Sequence, residues 1–213
     1  MKTLLIITLS IGLCASAWGQ TAPDQEIRTG PKVGAFVDLD IWTPVQSAAG
    51  DLNGDGLADV AVVLEQKRPT LATADDARSR ALMILFAAAT GRWSQQAMVR
   101  DLLPCASCLG TLSAEAGPDV FDLEIVDGAL RVGWVMGSEV LKSVRLTFSY
   151  DPERRALRLT RDEEASFDPK RRTRTRVAND YIAGHREIDG RQVDAAPRYI
   201  PIAEVLASQY GRP

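Results

Sequence analysis

The chain has little of what most often carries catalysis. It holds one histidine and three cysteines in 213 residues. No Gly-x-Ser-x-Gly elbow and no phosphate-cradling Gly-x-x-x-x-Gly-Lys occurs. Aromatics are 6%, and four tryptophans make no evident sugar-stacking platform. Charge of one sign is also lacking. Lys plus Arg is 25 against 28 Asp plus Glu, a net charge of -3, which argues against a dedicated nucleic-acid binder. Composition excludes collagen, low-complexity disorder and a cysteine-dense miniprotein. The length suits one domain with a real core and is short for an ordinary two-domain enzyme.

The amino terminus reads as an export signal. Lys2 supplies a positive start, Leu4 to Cys14 is a mainly apolar run, and Ala15-Ser16-Ala17 has the small-x-small pattern of a cleavage site. Residues 1–17 are expected to leave, with an alternative cut after Gly19. Leu13 before Cys14 argues against a lipoprotein. Residues 18–32 read as a flexible lead-in. Beyond the signal the longest apolar run is Ala81 to Ala89, too short to span a bilayer. The mature chain is therefore expected to be periplasmic or secreted, with no membrane span.

Export sets the reading of the remaining cysteines. Cys105 and Cys108 form an isolated Cys-Ala-Ser-Cys, and in an oxidising compartment a local disulfide is the first expectation. A redox-active pair and a metal site are the alternatives. Zinc would need two further ligands, and His185 is distant in sequence.

The hydropathy pattern is mainly β. Val60 to Leu64 and Ala81 to Ala88 are continuous apolar runs, suited to strands buried on both faces. Phe121, Leu123 and Ile125 alternate with polar residues, as do Leu130, Val132 and Trp134, then Val144, Leu146, Phe148 and Tyr150, then Leu157 and Leu159. Period two marks half-buried antiparallel strands. Asp127-Gly128 suits a tight hairpin turn. Only Ile202 to Tyr210 looks helical. The expectation is one antiparallel β domain over 33–200, a sandwich or an incomplete propeller-like sheet, with a short C-terminal helix or tail at 201–213.

One loop carries chemistry. Asp51-Leu52-Asn53-Gly54-Asp55-Gly56-Leu57-Ala58-Asp59 puts oxygen side chains at positions 1, 3, 5 and 9, with Gly at position 6. Calcium takes six to eight oxygens, and this spacing lets a curled backbone aim Asp51, Asn53, Asp55 and Asp59 inward, with the Leu57 carbonyl at position 7. An EF-hand would carry Glu at position 12, where Val62 stands. The alternative is a metal-free turn rich in Asp, Asn and Gly.

Residues 51–64 resemble the calcium loop and following strand of FG-GAP or VCBS repeats, which build the blades of integrin-type β-propellers. The resemblance implies Asp51, Asn53, Asp55, Leu57 and Asp59 as ligands of a structural calcium ion. The motif occurs once, without the period a full propeller needs. The wider chain is similar to a group of small exported bacterial proteins. They share one such loop, an apolar strand (here Leu82 to Phe86), a cysteine pair before Gly110, paired strands, and a late stretch read here as Asp180 to His185. That resemblance implies location and loop, and supplies no activity.

Other candidates read as surface. His185 sits in a polar stretch, and Asp162, Glu163 and Glu164 read as solvated carboxylates. The basic residues from Arg154 to Arg176 are interleaved with acids and read as a charged strand edge and loop, with contact to anionic envelope polymers or lipid head groups as the functional alternative. Together these features lead to an expected non-enzymatic, calcium-braced binding or interaction module of the bacterial envelope, its partner an envelope protein or polymer. An envelope hydrolase working through carboxylates near the loop is the alternative.

Overall fold

A computed structural model describes residues 29–30, 32–67, 78–106, 108–109 and 121–210. The expected signal peptide, most of the lead-in, the 68–77 segment and Gly110 lie outside the described residues. The fold is mainly β, in two antiparallel sheets with no closed barrel.

The first sheet contains β1 (Thr29–Gly30), β2 (Trp42–Gly50), β3 (Asp59–Gln66), β4 (Arg80–Ala87) and β5 (Trp93–Val99), in the order β1-β5-β4-β3-β2. The second contains β6 (Phe121–Val126), β7 (Ala129–Met136), β8 (Leu141–Asp151), β9 (Ala156–Asp168), β10 (Thr173–Asp180), β11 (His185–Ile188) and β12 (Arg191–Asp194), each paired with its neighbours in sequence.

The apolar runs fall on β3 and β4, which are buried on both faces as expected. Ala61, Val63, Leu82, Ile84 and Phe86 face a core shared with Phe121, Leu130, Val132, Leu146, Phe148 and Leu159 of the second sheet. Val62, Leu64, Met83 and Leu85 face the other way, under Phe36, Val37 and Trp42 from the amino-terminal segment. The alternating segments form β6 to β9, with one face in the shared core. Asp127 and Gly128 adopt φ of 52° and 71°, the left-handed pair a tight hairpin requires.

The sheets meet where β2 lies beside β6. Gln46 Nε2 donates to the Phe121 carbonyl at 2.9 Å. At Gly50 the approach is so close that a Cβ would sit 2.6 Å from Ile125 Cγ2. This contact brings the end of β2, and the loop that follows it, against the second sheet.

The carboxyl-terminal segment differs from a continuous helix. It makes two separate 3-10 turns, Ile202–Glu204 and Ala207–Gln209. Pro201 precedes the first, and extended Val205 and Leu206 divide them. The segment nevertheless joins the core, with Ile202 and Val205 buried. At the other end Thr29–Gly30 pairs with β5. No helix among the described residues is long and apolar enough to cross a membrane.

Candidate functional site

The loop 51–58 connects β2 to β3 and is closed by its own carboxylates. The amide of Gly54 donates to Asp51 Oδ1 at 2.7 Å and that of Gly56 to Asp51 Oδ2 at 2.8 Å. Asp55 N–H donates to Asn53 Oδ1, and Leu57 N–H to Asp55 Oδ1. Gly54 and Gly56 adopt φ of 80° and 83°, the left-handed region that residues with a Cβ resist. These hydrogen bonds, led by that from Gly56, hold the Asp51 carboxyl below its ordinary pKa.

Asp59 closes the loop from beneath. It is fully buried at the first position of β3. Its Oδ2 accepts from Leu52 N–H at 2.9 Å and its Oδ1 from Ala87 N–H at 2.8 Å. One carboxylate thus joins the loop to the end of β4. Burial pushes its pKa up, more than the two N–H groups pull it down, and the charges of Asp55 and Asp51 push it further.

Tested against calcium, this donor set fits in kind. Every candidate ligand is an oxygen, and a carboxylate oxygen that accepts one N–H keeps a second lone pair. Asp51, Asn53, Asp55 and the Leu57 carbonyl are the groups that could hold the ion from the solvent side. A cation there would relieve the repulsion that Asp51 and Asp55 exert on Asp59. As placed, no three His, Cys, Asp or Glu side chains among the described residues converge closely enough to hold a metal. Asp59, buried with both oxygens on backbone amides, forms the base of the loop and is the candidate ligand from beneath.

Cys105 and Cys108 are bonded as a disulfide with a Cα–Cα distance of 5.0 Å. Behind them the buried Arg80 guanidinium lies 2.9 Å from Glu65 Oε2 and 4.8 Å from the Phe121 ring centre. His185 begins β11, with Nδ1 3.6 Å from Asp194 Oδ1. The basic residues of β10 are not on an edge, because β10 pairs with both β9 and β11. Arg176 there binds Glu163 at 2.7 Å and Glu187 at 2.6 Å.

One site was missed by the sequence reading. Asp162 is not solvated: it is 5% exposed. Its Oδ1 accepts from Asn179 Nδ2 at 2.6 Å, and its Oδ2 from the hydroxyls of Tyr181 at 2.8 Å and Tyr210 at 3.0 Å. Burial, then the Asp162 charge, pushes both phenols far above their ordinary pKa. The only local signal was period two along β9, and that period fails there. No family model, curated protein or solved structure matches the chain.

Proposed function

We propose that this chain is an exported, non-catalytic binding module of the bacterial envelope, braced by calcium at the 51–59 loop, with an envelope protein or polymer as its partner. The observation that carries the reading is the loop itself. Two carboxylates and an amide oxygen lie in one tight turn, over a buried Asp59 whose proton affinity is raised in part by the charges of Asp51 and Asp55. A divalent cation offsets that charge where protons otherwise would. The ion would supply structural bracing, while Asp51, Asn53, Asp55 and the Leu57 carbonyl orient toward it. An envelope hydrolase acting through carboxylates near the loop has less support. Asp51 has both oxygens accepting backbone N–H groups and is held below its ordinary pKa, which suits it poorly to general acid or base work.

The test is a thermal melt of the mature protein with excess calcium and with chelator, magnesium serving as control. For an extracellular-type site of Kd roughly 10⁻⁴ to 10⁻³ M, about tenfold excess calcium adds on the order of 1.4 kcal/mol. A calcium-specific rise in Tm that Asp55→Ala abolishes supports the reading. An unchanged Tm together with a silent calorimetric titration sinks it.

A further inference from the structure

We propose that the groove between β9, β10, β11 and the carboxyl-terminal segment binds a neutral saccharide. This deepens the binding-module reading by naming a ligand class, and it does not depend on calcium at the loop. The groove encloses about 430 Å³, within the range of roughly 300 to 1,000 Å³ typical of small-ligand sites. Its floor is preorganised by Asp162, which fixes Asn179, Tyr181 and Tyr210 at once. A ligand entering it would meet side chains already held in place.

The chemistry of the walls selects the ligand. Arg186 and Arg198 line the groove and make no ion pair among the described residues. Both guanidiniums lie near enough to Tyr181 to lower its pKa against the larger upward push of burial. Most other arginines of the second sheet are already committed, Arg176 to two carboxylates and Arg131 and Arg145 to one each. Carboxylates share the groove with the two free cations, Glu164 and Glu204 beside Asp162. Charges of both signs disfavour an anion or a cation and favour an uncharged ligand that donates and accepts. Sugar hydroxyls do both. A peptide strand has no ladder to join here, because β9, β10 and β11 each already pair on both sides.

The experiment is saturation-transfer NMR and calorimetry on the mature protein with cellobiose, maltose and diacetylchitobiose. Galacturonic acid is the anionic control and trialanine the peptide control. At least one neutral disaccharide is expected to bind at a single site. Arg186→Ala and Arg198→Ala are each expected to weaken it about tenfold, the loss of one charged hydrogen bond, with Tm unchanged. Failure of all three disaccharides overturns the proposal. So does binding that survives the double variant, or a preference for galacturonic acid or trialanine. Repeating the titration in chelator separates the two readings. Sugar binding without any calcium effect on Tm keeps the groove and removes the calcium brace; a calcium effect without sugar binding does the reverse.

Discussion

Asp59 and Asp162 are both buried aspartates that accept hydrogen bonds through both oxygens, yet they are held by different kinds of partner. Asp59 is held by two backbone amides, one only seven residues away. Asp162 is held by three side chains, from 17 to 48 residues along the chain. Backbone donors stay in place when a side chain is changed, so the Asp59 site is built by the turn. Side-chain donors depend on packing, so the Asp162 site is built by the whole fold. The first joins two hairpins of one sheet. The second anchors the carboxyl-terminal segment to the other sheet through Tyr210.

Substitutions should separate the two. Asp162→Ala leaves two phenols and an amide without their acceptor and is expected to cost the most, on the order of 3 kcal/mol or more in urea denaturation. Equal stability to wild type would show that water replaces the carboxylate fully. Asp59→Ala strands two amides and should cost about 2 kcal/mol.

The acid behaviour of Asp59 sharpens the contrast. Its carboxyl is raised above the ordinary 3.8, so its folded state favours the protonated form. The stability this contributes is complete below 3.8 and is lost as pH rises through the raised value. Wild type should therefore lose stability relative to Asp59→Asn across that rise in calcium-free buffer. Parallel pH profiles for the two proteins would refute it. Asp51 runs the opposite way: its pKa is lowered, and its contribution is lost as pH falls through the lowered value.

The smallest effect belongs to Glu163→Gln. Glu163 is held below its ordinary pKa chiefly by its hydrogen bond to Arg176, but that arginine is 42% exposed. Solvent screening limits the loss to about 0.5 kcal/mol, measured as a small drop in Tm that added salt removes.

The sequence made one site legible and hid the other for a physical reason. In the loop, ligand types, spacing and glycines are consecutive, so the turn can be read directly. On β9, Leu157 and Leu159 face the core, and period two would then turn Arg161 inward and Asp162 outward. The ladder between β8 and β9 shifts register between Thr147 and Phe148, leaving Thr160 as the extra residue. One extra residue exchanges the two faces of everything beyond it. Asp162 and Glu164 turn toward the groove, while Glu163 turns to meet Arg176.

The strands followed the same logic. β3, β4 and β6 to β9 carry readable apolar patterns. β2 was hidden by Pro44 and small residues; it is an edge strand, where a missing N–H is tolerated, and its register shifts between Pro44 and Gln46. β10 to β12 are too polar to show alternation. Their hairpin turn Asp189-Gly190 repeats the dipeptide of Asp127-Gly128, with φ of 47° and 82°, but no apolar flanks marked it.

The second sheet's strand order has a kinetic consequence. Every strand from β6 to β11 pairs with the next in sequence, so each ladder closes a short loop and the sheet can zip from its tight turns. Hairpins of this kind form in roughly 1 to 10 µs, and low contact order speeds assembly. The bond from Tyr210 to Asp162 spans 48 residues and needs β9 and β10 already in register. The carboxyl-terminal segment should therefore lock late, sealing a sheet already formed.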